Sequence, residues 1–157
     1  MSDKPSFEHY ASTYGAEHAR RMFAETAMRQ IKDATAASTH PALDLQVGLT
    51  REVLLDIEAL RTGEFRRLFL DVPVDAIVAL DHRNFARGAT TWRNLLAGIH
   101  GIGWDHGTLA WMESDVGTTP FVAPEAAGDL RLYAVGGAIR CGNGMHRLVA
   151  TACWLAA

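Results

Sequence analysis

Between Glu17 and Thr35 the apolar residues Met22, Phe23, Ala27 and Ile31 return at helical spacing, with Arg20, Arg21, Glu25, Arg29 and Lys32 between them. The pattern predicts an amphipathic helix that Ser38-Thr39-His40-Pro41 ends. Thr50 then caps a second predicted helix, whose apolar positions Leu54, Ile57 and Leu60 stop at Gly63. The texture changes from Arg67 to Leu80, where branched residues alternate in part with polar ones and predict an extended segment. Thr90 or Thr91 caps a short helix through Trp92, Leu95, Leu96 and Ile99, which Gly101 and Gly103 stop. Thr108 to Glu113 reads as a strand. Leu130 to Val135 alternates, Gly136-Gly137 makes a tight turn, and Ala138 to Cys141 returns. A last helix carries Leu148, Ala152 and Leu155 on one face.

These elements predict an α/β (α+β) fold, a small mixed sheet with helices behind a helical N-terminal region. The division falls into residues 1–66, a helical extension packing on the core, and residues 67–157, which hold the sheet. Composition agrees with one folded unit: 157 residues, 48% hydrophobic and 21% charged, without a low-complexity tract. The net charge of −3 is spread along the chain, nine Lys and Arg against ten acids in residues 1–70 and six against eight in residues 71–157. That balance disfavours non-specific coating of nucleic acid, which needs clustered cations. Local phosphate contacts stay open, since Arg83, Arg87, Arg93, Arg140 and Arg147 lie in a half with no Lys. Two cysteines, Cys141 and Cys153, lack the paired spacing of a structural zinc site. The N-terminus has no signal-peptide pattern, and no apolar run reaches the roughly 18 residues of a spanning helix. The expectation is a cytoplasmic protein without a membrane partner.

The candidate chemistry gathers at Arg140-Cys141-Gly142-Asn143-Gly144-Met145-His146-Arg147, a strand-to-helix junction. Gly142, Asn143 and Gly144 tolerate unusual backbone angles, so successive N–H groups can turn toward one anion at the helix mouth. The helix dipole adds positive potential there, Arg147 can grip phosphate oxygens by two bonds, and His146 can donate. The bland alternative is a tight connection carrying a surface charge. Other nucleotide motifs fail: Arg147 stands where a Rossmann fingerprint needs its third glycine, and neither a P-loop nor a Gly-x-Ser-x-Gly elbow occurs.

Strand, Gly-Asn-Gly turn, His-Arg pair and helix together resemble the second nucleotide-binding motif of the ParB/sulfiredoxin superfamily. The order of parts over residues 68–157 is similar too: Val72-Pro73-Val74-Asp75-Ala76-Ile77, then Leu95 to Gly101, Thr108 to Glu113, and Gly144-Met145-His146-Arg147. The resemblance implies a fold that binds ATP or CTP with Mg²⁺, in which Gly144, His146 and Arg147 match triphosphate contacts. It also implies that Asn84 and Arg87, near the place of the family's first motif, close the other side of the nucleotide. Three departures narrow the chemistry. Met145 stands where sulfiredoxins carry their cysteine, which argues against sulfinate reduction. The chain has no room for the helix-turn-helix domain of the partitioning proteins. Gly98 stands where many members place a serine.

The site expected from sequence is therefore His146 and Arg147 as the acting pair, with Gly142, Asn143, Gly144, Met145, Asn84 and Arg87 binding the nucleotide. NTP hydrolysis or phosphoryl transfer is the expected activity. The alternatives are a non-catalytic inhibitor or adaptor that binds a protein of a DNA-transfer or defence system, and a ParB-like DNase. The stand-alone size suits the plasmid-encoded ATPase/DNase branch that suppresses DNA transfer. For a nuclease, Asp81 or Asp105 with nucleotide phosphates is the plausible seat of a divalent ion. His82, His100, His106 and His146 with Asp105 are residue types that suit a metal site or an acid–base cluster, but Asp81 to Asn84 and Trp104 to His106 fall in predicted loops and read as ordinary solvated or capping residues; Trp92 reads as core, while Trp104 and Trp111 suit either core or base stacking.

Overall fold

Among the described residues three strands make the sheet: β1 (Ile77–Leu80), β2 (Arg131–Val135) and β3 (Ala138–Asn143), in the order β1-β3-β2. β3 is central, parallel to β1 and antiparallel to β2. The helices are α1 (Phe7–Tyr14), α2 (Ala16–Ala37), α3 (Trp92–Leu95), α4 (His106–Met112) and α5 (Met145–Leu155). The computed structural model describes residues 7–48, 71–81, 88–99, 106–114, 130–135 and 138–157. The expected mixed α/β architecture is thus present. The predicted helix of Thr50 to Gly63 and the Gly136-Gly137 turn lie outside the described residues.

β1 is short, yet it buries both Ile77 and Leu80. Residues three apart on a regular strand point to opposite faces. The ladder resolves this by slipping between Ile77 and Ala79, so that Ile77 pairs with Ile139 and Leu80 with Cys141. Val78 is the extra residue and is 38% exposed. Beyond β1, Gly48 adds a parallel bridge: its N–H donates to the Val78 carbonyl at 2.8 Å, and its carbonyl accepts from Leu80 at 2.9 Å.

α2 follows from the periodicity. Ala27, Ile31 and Thr35 recur every fourth residue and are buried, and the helix packs on α4 and α5. Gly15, at φ 89°, turns α1 back onto α2. The C-terminal end of α2 is tied down by Arg93, which donates to the Thr35 carbonyl and to both oxygens of Asp44. Thr91 caps α3 through its hydroxyl, which accepts from the Asn94 N–H at 3.3 Å. The helix tightens into a 3-10 turn over Leu96–Gly98, so it ends at Gly98, ahead of the expected Gly101 and Gly103, which lie outside the described residues.

Two readings are corrected. Thr108 to Glu113, expected as a strand, belongs almost wholly to α4. Thr108, Trp111 and Met112 are its buried residues, a spacing of three and four that a helix satisfies and a strand does not. In α5 the buried stripe centres on Val149 and Cys153, flanked by Leu148 and Ala152. Leu155, expected on that face, is 60% exposed because 100° per residue carries it to the margin of the stripe. Among the described residues no helix is long and apolar enough to cross a membrane.

Candidate functional site

The junction that carries the motif is built by β3 handing over directly to α5. Gly142 and Asn143 are the last residues of β3, and Asn143 pairs across to Arg131. They are not part of a looped cradle, which corrects the expectation that three successive residues turn their N–H groups to one point. Gly144 alone adopts the left-handed conformation, φ 81° and ψ 20°, and serves as N-cap of α5. The first intrahelical bond runs from the Leu148 N–H to the Gly144 carbonyl at 2.9 Å. The capping residue is a glycine and has no side chain with which to cap the helix, and the first turn holds no acid.

Met145, His146 and Arg147 fill that first turn. Met145 is half-buried against the core, which is how a thioether uses the position that a cysteine would make reactive. His146 is half-buried. Arg147 is 7% exposed, although it lies on the side of α5 away from Val149. Helical side chains tilt toward the N-terminus, and the guanidinium follows this back to the cap. A Cβ placed on Gly144 would lie 3.4 Å from Arg147 Nη2 and 3.1 Å from Leu130 Cδ1. The glycine is therefore favoured twice, by its backbone angle and by the leucine methyl that closes over it.

Cys141 sits under the same junction. Its thiol is fully buried, 3.1 Å from the Asn143 carbonyl. Burial pushes it up to about 12 from the ordinary 9.0, against the opposing pull of the Asn143 backbone and the Arg147 charge; Asp81 adds to the rise. Cys153, in the core between α5 and α3, is also raised to about 12, again chiefly by burial. Both cysteines are free thiols. We expect neither to react with a disulfide-exchange reagent at pH 8 in the folded protein, and both to react after denaturation, as a timed thiol titration would read. The sign for stability follows: each thiol contributes stability that is intact below pH 9.0 and is lost as pH rises toward 12.

On the opposite face of the sheet Tyr133 pairs with Arg140 across β2 and β3. The Arg140 guanidinium lies 4.7 Å from the Tyr133 ring centre and 3.1 Å from Asp81 Oδ2. The ring also rests on Gly142, where a Cβ would stand 2.5 Å from Cε2. Glycine at 142 thus makes room for an aromatic ring and does not bend a loop. Tyr133 was not singled out in the sequence; the signal was available, since the predicted hairpin of Leu130 to Cys141 sets it opposite Arg140.

Of the predicted site residues, the structure brings together Gly142, Asn143, Gly144, Met145, His146 and Arg147. Asn84 and Arg87, with Arg83, lie outside the described residues, as do His82, His100, Trp104 and Asp105. Trp92 is 1% exposed and Trp111 is buried, so both are core, and base stacking by Trp111 is set aside. Among the described residues no group of three or more His, Cys, Asp or Glu is placed to hold a metal ion. The chain matches no protein-family model, no curated protein and no solved structure.

Proposed function

We propose that the junction of β3 and α5 binds the phosphates of a nucleoside triphosphate, ATP or CTP. The observation that carries the reading is Arg147, a guanidinium almost wholly buried yet folded back onto a left-handed glycine at an acid-free helix N-terminus. Such a helix end favours an anion through its dipole and leading N–H groups. A planar guanidinium held beside it suits the two-bond grip on phosphate. His146, in the same turn, is the candidate donor to a bridging or terminal oxygen, and NTP hydrolysis or phosphoryl transfer is the activity in view. The resemblance of β3, Gly144, the His146-Arg147 pair and α5 to the second ParB/sulfiredoxin motif supports the same reading, although the order of parts departs from that family at Thr108 to Glu113, which is helix here.

Mg²⁺ is the companion ion. It binds through one or two carboxylates and the phosphates themselves, so it does not require a preformed cage of protein ligands.

The test is calorimetric titration with ATP and with CTP, each with Mg²⁺, on the wild type and on Arg147→Ala and Arg147→Lys. Loss of a charged hydrogen bond, worth about 1.5–3 kcal/mol, predicts affinity down by about tenfold to hundredfold in Arg147→Ala. Arg147→Lys keeps the charge and the buried stem but not the fork, and is expected to fall between. Failure of both nucleotides to bind the wild type would sink the reading and favour the adaptor alternative, for which capture of a protein partner is then the experiment.

A further inference from the structure

We propose that Cys141 is a positioning residue of this site: its buried thiol holds the Asn143–Gly144 peptide in the orientation that turns the Gly144 N–H out of the core, toward the bound phosphate. The inference rests on the nucleotide reading above and gives a role to a residue that the reading leaves unused.

The strand that carries Cys141 is irregular where it meets α5. Leu132 pairs with Cys141, but the next pair is Arg131 with Asn143, so β3 holds one residue more than β2 there, and Gly142 is the extra one. A bulge of this kind ends a ladder and re-aims the residues beside it. Ahead of the bulge the strand is pinned on both sides. Leu132 faces Cys141 from β2, and the Cys141 carbonyl accepts from the Asp81 N–H at 2.9 Å, just beyond β1. Cys141 itself is fully buried. It is thus the last fixed point before the chain turns into the helix.

Across the bulge the Cys141 thiol donates to the Asn143 carbonyl at 3.1 Å. Ladder carbonyls lie in the plane of the sheet, whereas side chains stand roughly perpendicular to it. A carbonyl that meets the side chain two residues before it has therefore turned out of the plane, onto the core face. The peptide is trans, so the Gly144 N–H points the opposite way, away from the sulfur. Gly144 follows at φ 81° and ψ 20°. These are close to the angles of about 80° and 0° that come after the central peptide of a type II turn. Turned by about half a revolution, as in a type I turn, the same peptide would set Gly144 at negative φ and aim its N–H at the core. The mouth of α5 would then present one N–H fewer to an anion. The thiol bond favours the first orientation and is lost in the second. Burial pushes the thiol up to about 12, which keeps the donor proton in place near neutral pH. The Arg147 guanidinium approaches the same glycine, so the amide that the thiol aims and the cation that grips phosphate meet at one residue.

The experiment compares Cys141→Ala, which removes the donor, with Cys141→Ser, which keeps one. Binding of ATP and of CTP, each with Mg²⁺, is measured by calorimetry, and the Gly144 amide resonance of each nucleotide-free protein is followed by NMR. Cys141→Ala is expected to bind nucleotide about twofold to tenfold more weakly, the loss of one neutral hydrogen bond, and to shift the Gly144 resonance before nucleotide is added. Cys141→Ser is expected to bind within about twofold of wild type, because its hydroxyl donates to the same carbonyl. A cysteine that served only the core predicts the reverse order, since a buried hydroxyl is less welcome there than a methyl. If Cys141→Ala does not fold, Cys141→Val fills the volume without the donor and takes its place in the comparison. If the variant without a donor binds as wild type does, or if serine weakens binding as much as alanine, the inference is overturned while the nucleotide reading stands. If wild type binds neither nucleotide, both are overturned.

Discussion

Trp92→Ala is expected to lower the free energy of unfolding by about 3–5 kcal/mol, the usual cost of emptying a large aromatic site in a core. Urea denaturation read by circular dichroism would measure it. Trp92 opens α3, is 1% exposed, and packs within the cluster that includes Leu80, Leu95, Val149 and Cys153. Its carbonyl lies 3.5 Å from the Cys153 thiol, so the residue joins α3 to α5 through backbone as well as ring. Against a usual margin of about 5–15 kcal/mol that loss is a large share, and the variant is expected to unfold at a clearly lower urea concentration than wild type. Trp92→Phe separates two contributions. The indole Nε1 is buried with no hydrogen-bond partner among the described residues, and a desolvated donor of that kind costs about 1–3 kcal/mol. Phenylalanine removes the donor while filling much of the volume, so its penalty should be about half that of alanine or less. A Phe variant as unstable as the Ala variant would mean that the indole N–H is engaged after all.

The elements legible in the sequence were those whose burial follows one period over a long stretch. α2 buries every fourth residue from Ala27 to Thr35, and the alternation of Leu130 to Val135 gave β2. α4 was missed because its seven residues hold too few turns for a helical period to stand out, while Leu109 to Met112 reads as a continuous apolar run. β1 was only half legible, for a single slipped residue at Val78 breaks the alternation on which a strand is recognised. At the site, sequence chemistry identified the residues of the junction but not their division of labour. Three residues that tolerate turning looked like one loop; Gly142 is a strand residue that clears the Tyr133 ring, and Gly144 alone turns. That distinction depends on what lies across the sheet, 9 residues away in the chain for Gly142 and Tyr133, and no local pattern encodes it. The same holds for Asp81, which the parallel pairing of β1 and β3 brings beside Arg140 and Cys141 from about 60 residues upstream.

Gly144→Ala should therefore cost stability and binding together, and a second glycine shows how to divide the two. Gly88 has the same φ of 81°, but a Cβ there would meet nothing within 4 Å. Gly88→Ala carries only the strain of a left-handed alanine, about 1–2 kcal/mol. Gly144→Ala carries that strain plus the crowding of Leu130 Cδ1 at 3.1 Å, with Arg147 Nη2 in contact at 3.4 Å. Overpacking at a closed contact adds about 1 kcal/mol or more. The difference between the two variants in urea denaturation thus reads the contact itself, free of the backbone term they share. Leu130 Cδ1 is the atom that must give by a few tenths of an ångström, while Arg147 Nη2 and Leu130 Cα, both at 3.4 Å, come only into van der Waals contact with the new methyl. The methyl set against the guanidinium is expected to weaken nucleotide binding in Gly144→Ala by less than Arg147→Ala does, while Gly88→Ala binds as wild type. The losses should also fail to add: with the guanidinium already removed, Gly144→Ala in an Arg147→Ala background should change affinity little, because both act through the same contact. Equal stability for the two glycine variants, or full additivity in the double variant, would mean that Gly144 is only a turn and that the buried arginine serves the fold.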